Sequence, residues 1–214
     1  MIHHTADDCY IKYIPEYLSI NEHNELIEYL NNTVHVEQQG IPRAQKWFHM
    51  NGSYFDPMWK GRFPRWESHT YDDTILTLQE KIQTTVDEME LPTSINKCRI
   101  NSCLVNKYRG GSDSIRPHKD SLRVFGETPL IIGLSVGDVA REILFERVMW
   151  SPDNPESLKL DKNASNLNFS ILLEPRSLFL MGGNTQKFYS HQIPKCNVSG
   201  TRYSLTFREH LCFI

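Results

Sequence analysis

Two stretches in the first half of the chain carry apolar residues at helical spacing. The first begins at a Ser19-x-x-Glu22 capping box, and the second begins at Asp72-Asp73 and ends before Pro92. Both stretches predict amphipathic helices whose apolar faces pack against a sheet. These faces consist of Leu26, Ile27 and Leu30 in the first helix, and of Ile75, Leu78, Ile82, Val86 and Met89 in the second.

From residue 99 onward the pattern changes to short alternating segments separated by turn residues, which predicts β-strands. The polar stretch 150–166 contains Pro152, Pro155 and several asparagines, and it predicts an inserted surface loop. Short strands that follow N-terminal helices predict an α+β, mainly β protein: a jelly roll with the helices packed on its sheet. The predicted strands are 99–108, 130–136, 141–148, 167–173, 177–181 and 201–208.

Length and charge narrow the possible functions. A chain of 214 residues suits one domain, 1–214, with helices and an aromatic segment in about 1–98 and the jelly-roll core in 99–210. The net charge of −3 excludes a protein that is basic overall, so nucleic-acid binding needs a local basic face. The candidates for that face, which also fit a solvated rim, are Lys107, Arg109, Arg116, Lys119 and Arg123.

Cysteine usage and the N-terminus indicate the compartment. The cysteines are odd in number and lack paired zinc spacing, which favours reduced thiols. No apolar run suits a signal peptide or a membrane span. We expect a soluble intracellular monomer with no membrane partner, in either cytoplasm or nucleus. The cysteines are Cys9, Cys98, Cys103, Cys196 and Cys212.

The candidate chemistry begins with His118-Lys119-Asp120 and the distant His191. In an extended segment, residues two apart point to the same side, so His118 and Asp120 can reach one ion together. Two imidazoles and one carboxylate are the facial triad of non-haem Fe(II) sites, which keep coordination positions open. A lone His-x-Asp also occurs in surface loops. The other histidines lack this spacing, and we expect them at the surface: His3, His4, His23, His35, His49, His69 and His210.

The closing strand carries two arginines on one face. Its alternation places Arg202, Ser204, Thr206 and Arg208 together, opposite Tyr203, Leu205 and Phe207. The strand from Arg202 to Arg208 spans about 20 Å. The two long side chains can lean inward and bracket a short dicarboxylate, because each guanidinium group pairs with a carboxylate through two hydrogen bonds. A solvated strand face is the alternative. Asn106 and Tyr108 share a face of an earlier strand that ends at Gly110-Gly111, and they offer an amide and a phenol to a polar ligand.

Together these motifs resemble the AlkB-type 2-oxoglutarate/Fe(II) dioxygenases, from roughly residue 10 to residue 210. The resemblance is carried by Ile41-Pro42-Arg43-Ala44-Gln45, Asn106-x-Tyr108-x-x-Gly111-x-Asp113-x-Ile115-x-x-His118-x-Asp120, Gly183-Asn184-Thr185-Gln186, Tyr189-Ser190-His191-Gln192-Ile193-Pro194-Lys195 and Arg202-x-x-Leu205-Thr206-Phe207-Arg208.

The resemblance implies a double-stranded β-helix fold, Fe(II) as cofactor, and 2-oxoglutarate and O₂ as cosubstrates. It implies that His118, Asp120 and His191 are the catalytic metal ligands. It also implies that the carboxylates of 2-oxoglutarate are held by Asn106, Tyr108, Arg202, Thr206 and Arg208. The implied reaction is oxidative demethylation of N-alkylated bases in nucleic acid, with release of formaldehyde, succinate and CO₂.

Substrate recognition follows the family pattern only in part. The resemblance points to Arg43, to Tyr54 or Phe55 in an aromatic lid, and to Ser121 as substrate residues. Ser121 and Leu122 stand where related repair enzymes often have acidic residues, so duplex DNA repair is in doubt. Single-stranded DNA or RNA stays open as the nucleic-acid partner. The alternatives are a 2-oxoglutarate-dependent hydroxylase of a protein or small molecule, and a non-catalytic jelly-roll binding module.

Overall fold

The protein is built on two antiparallel β-sheets. The computed structural model describes residues 2–5 (backbone), 7–33, 35, 37, 40–95 and 97–211, so Cys212 lies outside the described residues. The strands are β1 Ile2–Thr5, β2 Cys9–Ile14, β3 Ala44–His49, β4 Ser102–Tyr108, β5 Ile115–His118, β6 Ile131–Gly137, β7 Arg141–Arg147, β8 Phe169–Leu173, β9 Leu178–Gly183, β10 Tyr189–Ile193 and β11 Arg202–Arg208. The helices are α1 Ile20–Asn32, α2 Asp73–Glu88, α3 Leu122–Phe125 and α4 Thr185–Phe188, with 3₁₀ turns at Pro57–Trp59, Pro64–Trp66 and Lys162–Leu167.

Strand order explains how the sheets enclose a site. In the described part of the chain, the larger sheet has seven strands in the order β1-β2-β9-β6-β11-β4-β3, and the smaller has four in the order β5-β10-β7-β8. One apolar cluster joins α1 and α2 to one face of the larger sheet, and a second joins β2, β4, β6 and β9 to β7, β8 and β10 of the smaller sheet. The helices therefore cover the outside of the larger sheet, and the smaller sheet covers its inside.

The helix ends follow the sequence signals. The Ser19 hydroxyl accepts from Glu22 N (3.2 Å), and the Glu22 carboxylate accepts from Ser19 N (2.9 Å), so the predicted capping box is confirmed. At the second helix, Asp72 Oδ1 accepts from Ile75 N at 3.0 Å. This helix ends at Glu88, one residue before the predicted stripe ends, because Met89 adopts an extended backbone.

All six predicted strands are present, with ends shifted by up to three residues. Strands β1, β2, β3, β5 and β10 were not predicted. Strand β5 contains Pro117, which a strand tolerates at a sheet edge, where β5 lies. Strands β1 to β3 belong to the larger sheet, so the first 98 residues contribute strands as well as helices. No helix among the described residues is both long and apolar enough to cross a membrane.

The prediction that the remaining histidines lie at the surface is wrong for His23, His49 and His210, which are buried. A backbone partner compensates each ring. His23 Nε2 accepts from Gly137 N at 3.1 Å, His49 Nδ1 accepts from Asn51 N at 3.1 Å, and His210 Nε2 lies 3.2 Å from the Phe55 carbonyl oxygen. Spacing along the chain could not reveal these contacts, because two of the partners are more than 100 residues away.

Gly111 holds two loops together and provides a stability test. Its N–H donates to the Val198 carbonyl (3.0 Å), and its own carbonyl accepts from Cys196 N (2.9 Å). A Cβ at Gly111 would lie 2.1 Å from the Cys196 carbonyl oxygen, whereas at Gly110 the nearest atom would be 3.9 Å away. We expect Gly111→Ala to lower the free energy of unfolding by about 3 kcal/mol, and Gly110→Ala to change it by less than about 0.5 kcal/mol. Urea unfolding of both variants tests this, and equal effects would contradict it.

Burial of His49 predicts acid sensitivity. Burial, helped by the charge of His210, lowers the pKa of His49 to about 4. In the unfolded chain this histidine has a pKa of about 6.5, so above that pH the ring is neutral in both the folded and the unfolded state. As the pH falls toward 4, the ring gains a proton only in the unfolded state, and the folded state loses stability relative to it. At pH ~5.5 this ring alone should lower the free energy of unfolding by roughly 1 kcal/mol. Urea unfolding across this range should show a shallower loss for His49→Asn, which keeps an acceptor for Asn51 N. An identical pH dependence in the variant would rule the explanation out.

Candidate active site

A cavity of about 340 Å³ lies between the two sheets. Its walls come from β4, β6, β9 and β11 of the larger sheet, from β5, β7, β8 and β10 of the smaller sheet, and from the segment 55–66. The residues predicted to bind the metal and the cosubstrate all line it, although they are far apart in sequence. They are His118, Asp120, His191, Asn106, Tyr108, Arg202, Thr206 and Arg208.

Strand pairing brings the two histidines together. His118 ends β5 and pairs across the antiparallel ladder with His191 in the middle of β10, so their ring centres are 4.2 Å apart. The ring of Phe145 on β7 stacks on His191 at 5.8 Å and 28°. His118 Nδ1 lies 3.0 Å from the Arg116 carbonyl oxygen, to which it donates, and this leaves the Nε2 lone pair available to a metal.

Asp120 is held from two sides. Its backbone N–H donates to Gln186 Oε1 at 2.7 Å, and its Oδ1 accepts from Arg208 Nη2 at 3.0 Å. Gln186 is buried on α4, and it belongs to the Gly183–Gln186 motif without having been assigned a role from the sequence. The contact between Gln186 and Asp120 joins helix α4, which precedes β10, to the residues that follow β5.

The charges in the cavity favour neutral imidazoles and an ionised carboxylate. Burial, and then the charge of His118, lower the pKa of His191 to about 3. Burial also lowers the pKa of His118, against the opposing effect of Asp120. Burial alone would raise the pKa of Asp120, but the positive charge and the hydrogen bond of Arg208 oppose burial, and this pKa is lowered. These are the protonation states that a metal ion requires of its ligands.

The donor set fits Fe(II), although the side chains do not form a closed ligand cluster. Among the described residues, no three His, Cys, Asp or Glu side chains meet the geometry of a metal site, and the Asp120 carboxylate contacts Arg208 instead. Asp120 Oδ2 and His191 Nδ1 are nevertheless buried without a hydrogen-bond partner. Unsatisfied buried donors and acceptors are costly, and a bound ligand compensates for such a cost. Two imidazoles and a carboxylate are donors that suit Fe(II).

The two arginines of β11 are buried cations with unsatisfied donors. Arg202 donates from Nη2 to Ser135 Oγ (2.9 Å), and its guanidinium carbon lies 5.3 Å from the centre of the Tyr108 ring. Nε and Nη1 of both Arg202 and Arg208 have no partner, and Arg202 forms no ion pair with a described acid. Burial lowers the pKa of Arg202. An uncompensated buried cation is costly, so this end of the cavity is suited to an anionic ligand.

Asn106 is oriented by two neighbours from β3 and the segment before it. Its Oδ1 accepts from Arg43 Nε (2.8 Å) and from Gln45 Nε2 (3.0 Å). Because both donors approach the oxygen, the amide Nδ2 is the atom left to donate to a ligand. Arg43 was predicted as a substrate residue, and it lines the cavity while it binds Asn106. Gln45, which was assigned no role from the sequence, is part of the same arrangement.

Aromatic side chains of the segment predicted to form a lid line the cavity. Phe55 lines the cavity, whereas the Tyr54 hydroxyl donates to Glu67 at 3.3 Å and Tyr54 is not among the lining residues. Trp59 and Trp66 line the cavity with Phe55, and Phe55 N donates to the Trp66 carbonyl at 2.9 Å. Sequence reasoning singled out Phe55 and Tyr54 by position alone, and it could not distinguish adjacent residues whose side chains point in different directions.

The rim residues are partly engaged in other contacts. Ser121 lines the cavity, and its hydroxyl donates to Glu156 at 3.3 Å. The predicted surface loop 150–166 therefore contacts the residue that follows His118-Lys119-Asp120. Arg109 pairs with Asp113 at 2.8 Å, and Arg123 pairs with the buried Asp56. The five basic residues predicted to form one face therefore do not act as a single free basic surface.

A family model described as the 2OG-Fe(II) oxygenase superfamily matches residues 10–208. The chain is 32% identical over 119 residues to the DNA oxidative demethylase ALKBH2 of Arabidopsis thaliana, across 51% of this chain and 38% of that protein. It is 32% identical over 111 residues to the alpha-ketoglutarate-dependent dioxygenase alkB homolog 3 of Bos taurus, across 50% of this chain and 36% of that protein. These matches thus span well under half the length of the curated relatives.

Solved structures support the fold. The structure of OsALKBH1 aligns with a TM-score of 0.59 and 13% identity, covering 98% of this chain and 100% of that chain. A Trichoplax adhaerens prolyl hydroxylase in complex with a hypoxia inducible factor peptide aligns with a TM-score of 0.55 and 12% identity, covering 94% and 83%. At these identities the likeness concerns the fold alone, and the prediction of a mainly β jelly roll is confirmed.

The unpaired donors of Arg202 predict a measurable ligand effect. We expect saturating 2-oxoglutarate to raise the thermal transition temperature of the wild-type protein, because a ligand that binds only the folded state stabilises that state. At a ligand concentration of 100 times Kd, the free energy of unfolding rises by about 2.7 kcal/mol. Arg202→Gln should lose this shift, whereas Arg99→Gln, which removes an exposed arginine paired with Asp87, should keep it. Differential scanning fluorimetry of the three proteins provides the measurement. A full shift in Arg202→Gln would exclude Arg202 from anion binding.

Proposed function

This chain belongs to the 2OG-Fe(II) oxygenase superfamily, and we propose that it removes N-alkyl groups from bases of nucleic acid in the AlkB manner. It is a 2-oxoglutarate-dependent dioxygenase whose cofactor is Fe(II) and whose cosubstrates are 2-oxoglutarate and O₂. We also propose that residues 1–214 act as one catalytic domain, because β1 to β3 pair in the same sheet as strands beyond residue 98.

The observation that carries the proposal is that three kinds of residue line one cavity. His118, Asp120 and His191 are the proposed metal ligands, two buried arginines supply donors for anions, and the aromatic side chains of Phe55, Trp59 and Trp66 line the same cavity. A cavity of about 340 Å³ has room for a small cosubstrate and a planar ring. Flat aromatic walls suit a base that has left its stack, and this supports a nucleic-acid substrate.

The two arginines have different proposed tasks. Arg208 contacts Asp120 at 3.0 Å, so it lies at the metal end of the cavity, where it orients the carboxylate. Arg202 lies six residues earlier on the same strand face, next to Ser135, so we assign to it the carboxylate of 2-oxoglutarate that is remote from the metal. Asn106 and Thr206 line the cavity between these ends and Tyr108 is paired with Arg202, and we assign to these three residues the hydrogen bonds that orient the cosubstrate.

Fe(II) held by His118, Asp120 and His191 would supply the oxidising chemistry, in which O₂ gives one oxygen atom to the succinate formed with CO₂ from 2-oxoglutarate and the other to a substrate C–H bond. The chain supplies geometry and shelter. Phe55, Trp59 and Trp66 hold the base over the site and exclude water. Hydroxylation of an N-methyl group gives a hemiaminal, which separates into formaldehyde and the restored N–H.

The proposal predicts a coupled product pair. Enzyme reconstituted with Fe(II) under anaerobic conditions and then given 2-oxoglutarate, O₂ and an N-methylated oligonucleotide should release succinate and formaldehyde in equal amounts. His118→Ala should reduce both to background, because it removes a proposed metal ligand. Lys162→Gln, which changes an exposed lysine within the stretch 150–166, should leave the rates of succinate and formaldehyde formation unchanged. Mass spectrometry of the oligonucleotide and a formaldehyde assay measure the two outcomes.

A lid variant separates substrate binding from cosubstrate chemistry. Trp66→Ala should lower formaldehyde formation while slow, uncoupled succinate formation continues, because the residues assigned to the metal and to 2-oxoglutarate are unchanged. Succinate without formaldehyde on every methylated oligonucleotide, in the wild-type enzyme, would refute the demethylase proposal. That result would indicate hydroxylation of a protein or small molecule instead.

A further inference from the structure

A series of rings leads from the cavity to the protein surface. Phe55 and Trp59 line the cavity and stack at 5.9 Å and 16°, and the edge of Phe63 meets Trp59 at 6.0 Å. Phe63 is 38% exposed, and the guanidinium carbon of Arg65 lies 5.1 Å above its ring. The aromatic lid therefore does not end at the cavity mouth, and it presents a ring to solvent.

Cations alternate with these rings. The sequence Pro57-Met58-Trp59-Lys60-Gly61-Arg62-Phe63-Pro64-Arg65-Trp66 contains three basic residues and no acidic residue, in a chain with a net charge of −3. Lys60, Arg62 and Arg65 are exposed, and none forms an ion pair with an acid in the described ranges. This contrasts with Arg109 and Arg123, whose charges are compensated by Asp113 and Asp56.

The segment is held in shape by its own backbone. Two 3₁₀ turns begin at Pro57 and Pro64, and Gly61 between them has a φ of +72°, which favours glycine. Phe63 N donates to the Trp59 carbonyl at 3.0 Å, and the Phe55 to Trp66 backbone bond closes the loop. Because the rings and cations are presented by a folded loop, little ordering is needed before a ligand binds.

We propose that residues 59–66 form a binding path for single-stranded nucleic acid, in which the base next to the one in the cavity stacks on Phe63 and the phosphates contact Lys60, Arg62 and Arg65. Alternation of aromatic rings with cations is the chemistry by which proteins bind single strands without sequence preference. The faces of bases in a duplex are covered by their neighbours, so Phe63 can stack only on a base that is already unstacked. The path therefore selects single strands over duplexes.

This inference rests on the proposed function, because it names the form of nucleic acid that the same site takes. Its test is equilibrium binding, which needs no turnover. Fluorescence anisotropy with a labelled, unmodified single-stranded oligonucleotide, and with the same strand in a duplex, is measured over a series of salt concentrations. We expect the wild-type protein to bind the single strand about tenfold more tightly than the duplex, or better.

The variants separate stacking from charge. Phe63→Ala should weaken single-strand binding about tenfold, whereas Phe63→Tyr keeps the ring and should bind like the wild-type protein. Arg62→Gln and Arg65→Gln should each reduce the slope of log K against log salt by about 0.7. Lys162→Gln is the matched charge control and should leave the slope unchanged. Thermal unfolding of each variant establishes that it is folded before its binding is compared.

Equal affinity of Phe63→Ala and wild type for the single strand would overturn the path, as would equal binding of duplex and single strand by the wild-type protein. These results are distinguishable from failure of the proposed function. If the binding pattern holds but no formaldehyde forms, the path stands and the demethylation is wrong. If methylated single strands are demethylated by Phe63→Ala with an unchanged KM, the demethylation stands and the path is wrong.

Discussion

The alternation of side chains along β11 is the constraint on which the rest of the structure depends. Tyr203, Leu205 and Phe207 lie in the apolar core beneath the helices, while the residues between them line the cavity. β11 pairs on both sides, with β4 and with β6, over nearly its whole length. A slip of one residue would move two arginines into the apolar core and three large apolar side chains into the cavity, so the register is strongly specified.

This register buries two cations, of which Arg208 is paired with Asp120 whereas Arg202 has no acidic partner among the described residues. Arg202 and Arg208 are 2% and 5% exposed, and most of their donors have no partner. Burying charge in this way costs stability. The surrounding core offsets that cost, and the cavity gains a preference for anions that a solvated surface would not have. The two arginines therefore reduce the stability of the protein, and their unpaired donors suit an anionic ligand.

The lid is attached to the same strand. The ring of His210, two residues beyond Arg208, lies 3.2 Å from the Phe55 carbonyl oxygen, and Trp47 and Phe125 pack edge-on against the Phe55 ring at 5.0 Å and 5.8 Å. The position of Phe55 is thus determined by elements from three parts of the sequence. The aromatic wall of the cavity is a product of packing, which is why Trp59 and Trp66 line the cavity and Tyr54 does not.

The sequence by itself determined the elements whose signals are local: the capping box at Ser19, the helical stripe of α2, the alternating strands after residue 99 and the two faces of β11. It also indicated His118, Asp120, His191, Arg202 and Arg208 as one chemical set, through motif order and residue type.

Only the tertiary structure decided how these residues meet, because His118 and His191 are joined by strand pairing across 73 residues. The strands β5 and β10 escaped prediction for the same reason: His118 and His191 line the cavity, and hydrogen bonds to distant strands stabilise both strands. Neighbours such as Gln45, Gln186 and the buried His49 and His210 have roles that arise from contacts, and contacts between distant segments leave no local pattern in a chain.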